Sequence, residues 1–513
     1  MKIESSLVKN YKDLTSVTDI YGLEYILDFG KNIMQGGQGV IIRTKEPNTV
    51  LKIGIVNFDG DLKTDTKANI RYNNIRLLPI ESDWHISMPQ SILKDYNGYV
   101  MRLLEDMEDF RSHFEIYRNG DHLATTEWIN SLYSKDISEE FSNYYSTGGK
   151  RRRLEAMLKS GAILAQLHSR GLVYSDLKPE NMMISSSKDY CNVWLIDSDN
   201  IRLENNALKD AYPHTVGFAA PEVLQLVQEQ ENNITDMNEK WGTGNSMDSD
   251  TYSYALCLFK YLLFCHPFEG EAYWLELENC DSREDIDFRK DSGRFRFIDD
   301  IENNYLTYEY DEPVNRNSFF DEIVEYAVTK EIRCLFQNTF STNLGKYCSW
   351  LRPSMFEYVH ALARALDNGI TCTRCGMDFF INDNDNNIIK CPWCENCIEE
   401  VLKLKAYYWV DNDKGDLIWE YTRELNGILR IPLRIINGFC NDEIDDVFMQ
   451  IERINNELYI EIISNFDFNC QLSTDNNSYV AVRKYRFSGT RFYIKVVNEN
   501  TNTEIFIEGE DIQ

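Results

Sequence analysis

Hydrophobic positions follow different spacings in three long stretches of the chain. Up to about residue 110, short apolar runs alternate with turn signals, which predicts strands. Between residues 150 and 365, apolar positions recur about every 3.6 residues, as in TYSYALCLFKYLLF, which predicts helices. From residue 404 onward, apolar and polar residues alternate in runs rich in β-branched and aromatic side chains, with turns of Asn, Asp and Gly between them. This last stretch predicts an antiparallel β-sandwich or barrel.

The charge and hydropathy of the chain exclude two classes of partner. Its 83 acidic residues outnumber its 53 basic residues, which gives a formal net charge of −30. So acidic a chain is not expected to bind nucleic acid or anionic lipid through lysine and arginine. The longest apolar stretch, at residues 254 to 265, is shorter than the roughly 20 residues of a membrane span, and the N-terminal residues lack the apolar core of a secretory signal. We therefore expect partners that are other proteins, and no membrane.

Five of the 13 cysteines lie close together after the helical stretch. Two CxxC pairs, Cys372 with Cys375 and Cys391 with Cys394, are separated by fifteen residues. This is the spacing of a zinc ribbon, in which each pair places two thiolates on one tight turn. Because four thiolates leave no open position, we expect structural Zn²⁺, with Cys397 either outside the set or in place of Cys394. Such a cluster favours a reducing, cytoplasmic compartment.

Four short motifs carry the residue types that phosphoryl transfer needs. This chemistry requires a flexible backbone over the phosphates, a cation to hold them, oxygen ligands for Mg²⁺ and a carboxylate that orients the attacking hydroxyl. The glycine-rich turn GGQG at residues 36 to 39 and Lys52, in an apolar strand-like run, are candidates for the first two roles. The runs VYSDLKPEN and LIDSD contain candidate oxygens at Asp176, Asn181 and Asp197.

Taken together and in this order, the motifs resemble the eukaryotic-like (Hanks-type) protein kinases, whose catalytic loop matches the run DLKPEN residue for residue. The resemblance implies that Asp176 accepts or orients the substrate hydroxyl proton, that Lys178 steadies the transferring phosphoryl group and that Asn181 ligates Mg²⁺. It also implies that Asp197 is a further magnesium ligand. Lys52 would pair the α- and β-phosphates of ATP.

The resemblance extends over roughly residues 18 to 368 and implies an ATP site, with Mg²⁺ or Mn²⁺ as its metal. The residues that it assigns to ATP are Gly36, Gly37 and Gly39 of the phosphate-covering loop, the strand residues Ile41, Val50 and Lys52, and Met101, Leu103 and Leu104 at the gatekeeper and hinge. It further implies that Glu222 and Arg352 form a buried ion pair and that Asp250 braces the catalytic loop.

Several positions depart from the pattern of that family. Tyr174 and Ser175 replace the histidine and arginine before the catalytic aspartate. Without that arginine, phosphorylation of the activation loop is not expected to be the switch. Ser198 and Asp199 replace the phenylalanine and glycine that follow the metal-binding aspartate, and Met34 replaces the first glycine of the phosphate loop.

The most serious departure concerns the partner of Lys52. No glutamate lies between Lys52 and Glu81, where the resembled kinases carry one on a helix. Asn73 or Asn74 occupies the expected place, and Glu81 is a late candidate. A nucleotide-binding pseudokinase, acting through its ribbon and β-rich tail, is therefore the alternative to an active kinase.

The KPE triplet and the Ala-Pro-Glu element favour a serine/threonine kinase that phosphorylates a protein hydroxyl, including its own. The Asn- and Ile-rich composition favours a bacterial protein of signalling or stress defence. The expected fold is multidomain α+β. Its predicted parts are a kinase N-lobe at 1–104, a mostly helical C-lobe at 105–368 that completes a bilobal protein-kinase-like fold, a four-cysteine zinc ribbon at 369–398, and an antiparallel β-sandwich at 399–513 with a forkhead-associated domain as its fold analogue.

Overall fold

The computed structural model divides the chain into two compact units. The first comprises Met1–Tyr117, Ile163–Cys257 and Asp287–Arg294, and the second comprises Arg118–Ala162, Leu258–Ile286 and Phe295–Gln513. The residues that the structure describes are 9–30, 34–35, 39–64, 67–115, 143–204, 214–232, 242–300, 314–381, 389–411, 413–440, 444–455, 457–463, 468–481, 483–498 and 503–512. Gly36 and Gly37 of the expected phosphate loop lie outside them.

Helices dominate the described residues between 149 and 367, as the spacing of apolar positions predicts. The helices are α1 (Lys67–Ile75), α2 (Phe110–Phe114), α3 (Gly149–Ser169), α4 (Pro221–Glu231), α5 (Met247–Leu263), α6 (Glu271–Glu278), α7 (Arg283–Asp291), α8 (Ser318–Ala327), α9 (Lys330–Phe340), α10 (Met355–Asp367) and α11 (Arg434–Asn437). Single 3-10 turns lie at Tyr11–Asp13, Pro179–Asn181, Ser198–Asn200 and Ser349–Leu351, and a π turn lies at Thr342–Lys346. None of the helices in the described part of the chain is long and apolar enough to cross a bilayer.

The first unit is built on a five-stranded antiparallel sheet. The strands of this unit, in chain order, are β1 (Ser16–Thr18), β2 (Glu24–Ile26), β3 (Met34–Gln35), β4 (Gly39–Arg43), β5 (Thr49–Gly54), β6 (Ser91–Ile92), β7 (Gly98–Arg102), β8 (Met107–Asp109), β9 (Leu172–Val173), β10 (Met182–Ser185), β11 (Val193–Leu195) and β12 (Arg202–Leu203). The main sheet has the order β3-β4-β5-β7-β6, and the smaller sheets are β1-β2, β11-β10-β8 and β12-β9.

The two faces of the five-stranded sheet have different roles, because successive side chains of a strand point to opposite faces. One face packs Ile42, Leu51 and Val100 into a buried apolar core. The other face carries Lys52, which lies opposite Tyr99 in the register of β5 and β7. A lysine in the middle of an apolar strand is thereby placed on the face that the core does not occupy.

The second unit combines two small hairpins with two larger antiparallel sheets. Its strands are β13 (Gly369–Thr371), β14 (Asp378–Phe380), β15 (Ile389–Lys390), β16 (Cys397–Ile398), β17 (Val401–Val410), β18 (Asp413–Glu424), β19 (Leu429–Pro432), β20 (Val447–Ile454), β21 (Glu457–Ile462), β22 (Phe468–Ser473), β23 (Val480–Ala481), β24 (Lys484–Phe487), β25 (Arg491–Asn498) and β26 (Thr503–Ile512). The larger sheets run β18-β17-β26-β25-β22-β23 and β19-β20-β21-β24. Their antiparallel pairing agrees with the alternation in the sequence, while a sandwich of the forkhead-associated type stays a prediction.

A buried ion pair joins the last long helix of the second unit to its β-rich part. Asp367, at the end of α10, accepts hydrogen bonds from Arg434 Nε at 2.7 Å and Nη2 at 2.6 Å, and from Trp419 Nε1 at 2.8 Å. All three side chains are buried. A bidentate arginine–carboxylate pair satisfies both partners, whereas either one alone would be a buried uncompensated charge. The tail and α10 are therefore fixed to one another.

Asp367→Asn is expected to destabilise the second unit strongly, because it removes the charge that compensates the buried guanidinium of Arg434. The expected loss in the free energy of unfolding is about 3–5 kcal/mol, measured by urea denaturation. The matched control is Asp445→Asn, which alters an exposed carboxylate 2.8 Å from Lys159 Nζ and is expected to cost less than about 1 kcal/mol. Equal effects of the two substitutions would contradict this account.

Candidate active site

The loop between β9 and β10 is held at its start by a helix carboxylate. Asp250 of α5, itself buried, accepts hydrogen bonds from the backbone N–H of Tyr174 at 2.6 Å and of Ser175 at 2.8 Å. The Nε2 atom of His168 lies 3.2 Å from the same carboxylate. Ser175 takes a φ of +79°, an unusual conformation for a residue other than glycine, and the two hydrogen bonds hold the backbone there. The side chain of the next residue, Asp176, is thereby positioned.

Three polar side chains contact Asp176. Asn181 Nδ2 donates to the Asp176 carbonyl at 2.8 Å, and Lys178 Nζ lies 3.1 Å from Asp176 Oδ2. Thr215 Oγ1 donates to Asp176 Oδ1 at 2.7 Å and accepts from Lys178 Nζ at 2.9 Å. The structure thus brings together Asp176, Lys178 and Asn181 of the DLKPEN run. Thr215 was not expected from the sequence. Its position shortly before the AAPE run at residues 219–222 was the one feature that could have indicated a contact with the loop.

Tyr174 links this loop to the strand that leads into Asp197. Its hydroxyl donates to the carbonyl oxygen of Ile196, the residue before Asp197. Burial of Tyr174 raises the pKa of its phenol well above the ordinary value, so the hydroxyl remains a donor. A tyrosine therefore connects the loop of Asp176 to the segment of Asp197, at the position where the resembled kinases have histidine.

Lys52 contacts two carboxylates rather than one. Its Nζ atom forms ion pairs with Asp197 Oδ1 and with Asp199 Oδ2, the latter at 2.7 Å. Burial alone would lower the pKa of Lys52, but attraction to Asp199 and Asp197 outweighs it and raises the pKa above the ordinary value. The side chain is therefore a firmly charged ammonium at the centre of the site.

Helix α1 sends an aromatic residue toward this ion cluster. The ring of Tyr72 packs edge-to-face on Tyr99 with 4.9 Å between centroids. Glu81, the late candidate for a partner of Lys52, lies 2.6 Å from Arg170 instead. The carboxylates in contact with Lys52 Nζ, among the residues described here, come from Asp197 and Asp199.

An apolar cluster lies on the same face of the sheet as Lys52. Its buried members are Val50, Ile92, Tyr99 and Met101, with Ile41, Tyr72 and Leu103 packed against them. This set contains four of the residues that the resemblance assigns to ATP, namely Ile41, Val50, Met101 and Leu103. Leu104, just beyond β7, is half-buried. At Gly39, a Cβ atom would lie 3.0 Å from the carbonyl oxygen of Ile53, so the close pairing of β4 and β5 leaves little room for a side chain.

Glu222 and Arg352 are each buried in their own unit. Glu222 lies in the first turn of α4, and Arg352 Nε donates to the Gly345 carbonyl at 2.7 Å. Their pairing with one another stays a prediction.

Four cysteines form a compact cluster in the second unit. The sulfur atoms of Cys372, Cys375, Cys391 and Cys394 all lie within 4.8 Å of one another, with separations of 3.7 Å for Cys372–Cys394 and 3.6 Å for Cys375–Cys391. Sulfurs about 2.3 Å from a tetrahedral zinc ion would be about 3.8 Å apart, whereas a disulfide requires about 2.05 Å. The spacing therefore fits a metal site with four cysteine ligands. Cys397 lies on β16 and is exposed, outside this set.

The cysteine cluster is packed against the start of α3. Asp378 Oδ2, in β14, accepts from the backbone N–H of Lys150 at 2.7 Å and of Arg151 at 3.2 Å, which satisfies donors at the helix N-terminus. Burial lowers the pKa of Lys150 to about 7, although Asp378 opposes this effect. The Lys150 ammonium donates to the Tyr326 and Asp378 carbonyls. The hairpin that carries Asp378 is thus packed against the start of α3.

The loop around Asp176 lies in a part of the chain that is similar to a known sequence family. Residues 151–305 match the family model described as the protein kinase domain. Calcium/calmodulin-dependent protein kinase type II of Caenorhabditis elegans is 27% identical over 129 residues, which are 25% of this chain and 17% of that protein. The delta subunit of the same kinase from Oryctolagus cuniculus is 28% identical over 131 residues, 25% of this chain and 23% of that subunit.

A yeast relative gives a similar match. Glycogen synthase kinase-3 homolog YGK3 of Saccharomyces cerevisiae is 29% identical over 118 residues, 22% of this chain and 31% of that protein. The chain thus spans less than a third of the length of these relatives. Within the part matched by the family model, at residues 151–305, lie Asp176, Asn181, Asp197 and Asp250. The chain therefore contains a region similar to the protein kinase domain, and that region includes the polar loop around Asp176.

Proposed function

We propose that this protein is an ATP- and Mg²⁺-dependent serine/threonine protein kinase that transfers the γ-phosphate to a hydroxyl of a protein, including its own. The observation that carries the proposal is the arrangement of Asp176, Lys178 and Asn181 in one loop of the first unit, in a region that matches the protein kinase domain. The same unit holds Lys52 beside Asp197. These are the groups that phosphoryl transfer needs for positioning and for charge stabilisation.

Each residue of the loop has a distinct part in the proposal. Asp176 accepts or orients the proton of the attacking hydroxyl, and Thr215 and Lys178 hold its two oxygens in place. Lys178 also offers positive charge to the transferring group. Lys52 binds the phosphates of ATP, while the apolar cluster around Val50 and Met101 receives the adenine.

The donor set at Asn181 and Asp197 fits a magnesium ion, which would neutralise the phosphates. Amide and carboxylate oxygens are the ligands that Mg²⁺ prefers. Oδ2 of Asp197 accepts no hydrogen bond from the residues described, and this side chain is 31% exposed, so an oxygen remains to contact a cation. Asn181 is oriented by its hydrogen bond to the Asp176 carbonyl.

The serine/threonine type rests on the Lys178-Pro179-Glu180 triplet, and the role in bacterial signalling or defence rests on composition alone. A pseudokinase scaffold is the second candidate. The observation that favours it is the contact of Lys52 with Asp197, because these two groups are assigned to the phosphates and to the metal and here pair with each other. Transfer of phosphate separates the two candidates.

We also propose that Cys372, Cys375, Cys391 and Cys394 hold a structural Zn²⁺ ion. The tetrahedral spacing of the sulfurs supports it, and four thiolates leave no position for a substrate. Since Asp378 of the same hairpin caps α3, the metal is expected to stabilise the start of that helix.

Asp176→Ala is expected to lower phosphate transfer about 10²- to 10⁴-fold, because it removes the group that orients the acceptor hydroxyl. The measurement is incorporation of labelled phosphate from ATP and Mg²⁺ into the protein itself and into a generic protein acceptor. ATP affinity is expected to change little. The control is Asp189→Asn, which alters an exposed residue in a turn and changes the net charge by the same amount. Equal transfer by wild type and Asp176→Ala would refute the role of Asp176, and ATP binding without transfer in wild type would favour the pseudokinase.

Cys375→Ser is expected to abolish zinc binding and to lower the melting temperature. Metal analysis of the purified wild type should give one zinc per chain, and loss of the metal removes binding energy that stabilises the folded state. A fall in Tm of about 5 °C or more is expected for a unit of this size. The matched control is Cys397→Ser, which alters an exposed cysteine outside the cluster and should leave zinc and Tm unchanged. Wild-type protein without zinc would exclude the metal site.

A further inference from the structure

We propose that Asp199 is a positioning residue that holds Lys52 in the nucleotide site. In the kinases that the sequence resembles, a glutamate on the helix after the lysine strand pairs with this lysine. The inference rests on the proposed kinase function. It assigns the pairing with Lys52 to Asp199, two positions after Asp197. It accounts for the missing glutamate without requiring that activity be lost.

Helix α1 cannot supply the carboxylate. Its sequence, KANIRYNNI, contains no acidic residue. The side chain that it directs at the site is Tyr72, which packs on the ring of Tyr99 and not on an anion. Arg71 of the same helix donates to Asn200 Oδ1 at 2.5 Å, so α1 is attached to the segment that carries Asp199. The helix therefore holds the segment that carries Asp199, and it does not provide the negative charge itself.

Asp199 is oriented so that both of its oxygens are in use. Oδ2 lies 2.7 Å from Lys52 Nζ, and Oδ1 accepts a hydrogen bond of 2.5 Å from the Tyr99 hydroxyl. Tyr99 is fully buried, so its ring fixes the direction of that hydrogen bond. A carboxylate that is held at one oxygen by a buried phenol presents the other oxygen to the ammonium in a defined direction.

The backbone around Asp199 explains why it points inward. Asp197 takes a left-handed conformation, with φ +58° and ψ +47°, and a single 3-10 turn follows at Ser198–Asn200. The Oγ of Ser198, which is fully buried, donates to the Ser87 carbonyl at 2.9 Å and anchors this turn. The turn brings Asp197 and Asp199 to the same side, toward Lys52. A glycine at position 199, as in the resembled kinases, would offer no side chain to the ammonium.

The carboxylates of Asp197 and Asp199 differ in exposure and in hydrogen bonding, and this difference suits them to different roles. Asp197 is 31% exposed and has an oxygen with no hydrogen bond from the described residues, whereas Asp199 is 12% exposed and both of its oxygens are engaged. The first is suited to share its charge with a cation, and the second is suited to remain with Lys52. Ligation of a metal by Asp199 would have to compete with these two contacts.

A double-mutant cycle tests whether Asp199 acts through Lys52. Affinity for ATP with Mg²⁺ is measured up to millimolar ATP in wild type, Asp199→Asn, Lys52→Ala and the double variant. Asp199→Asn is expected to weaken ATP binding about tenfold in the wild-type background, since it removes a charged partner of the phosphate-binding lysine. In the Lys52→Ala background the same substitution is expected to change the affinity less than about twofold. A purely structural role would lower affinity equally in both backgrounds.

A second variant keeps the inference testable if Asp199→Asn folds poorly. Tyr99→Phe removes only the hydroxyl that orients Asp199 and retains the ring that packs on Tyr72. It is expected to weaken ATP binding about threefold in the wild-type background and to have almost no effect in the Lys52→Ala background, whereas equal effects in the two backgrounds would overturn the inference. Asp189→Asn again serves as the charge control and should bind ATP as the wild type does.

The outcomes distinguish this inference from the proposed function. Wild-type protein that binds ATP, with no effect of Asp199→Asn or with equal effects in the two backgrounds, overturns the role of Asp199 and leaves the kinase proposal standing. Equal effects that disappear when Mg²⁺ is omitted would identify Asp199 as a metal ligand. Wild-type protein that binds no ATP overturns the proposed function and the inference with it.

Discussion

The buried ammonium of Lys52 sets the requirement around which the candidate site is arranged. A charged group removed from water must be compensated by opposite charge and by hydrogen bonds. Here the compensation comes from two carboxylates on one short turn, at Asp197 and Asp199. Tyr99 orients the carboxylate of Asp199, and Tyr72 of α1 packs on Tyr99. Helix α1 contains no acidic residue, and the carboxylates that compensate Lys52 come from the turn after β11 instead.

In the second unit, buried carboxylates likewise connect segments that are distant in sequence. Asp378 satisfies backbone donors at the start of α3, and Asp367 pairs with Arg434 between α10 and the β-rich tail. Each contact connects segments that are distant in sequence, and each is costly to break on one side only. The cysteine-bearing hairpins and the β-rich tail are therefore packed parts of the unit that includes α10, and not appendages connected by a flexible linker. A function of the tail has to be considered together with the helices that it contacts.

Contiguous motifs were predictable from the sequence, and so was the contact of Asp250 with the loop before Asp176, whereas two other long-range contacts of the site were not. The run DLKPEN lies within six residues, and the paired CxxC motifs have a diagnostic spacing, so both could be recognised before the fold was known. Asp199, one of the two carboxylates that contact Lys52, lies 147 positions from it, and Thr215 lies 39 positions from Asp176. The resembled kinases carry the glutamate on the helix that corresponds to α1, where this chain has Asn73 and Asn74. Only the fold shows that a turn after Asp197 returns a carboxylate to the same ammonium.

The absence of a glutamate from α1 is therefore a weak argument for lost activity. What phosphate binding requires is a lysine ammonium held in place, and the element that carries the carboxylate is secondary to its position. If Asp197 shares its charge with a metal, its attraction for Lys52 falls, and a lysine with no other partner would lose its orientation. Asp199 remains paired in that case, because its second oxygen is fixed by a buried phenol and not by solvent. A site with two carboxylates on one turn can thus assign one to the metal and keep the other for the lysine.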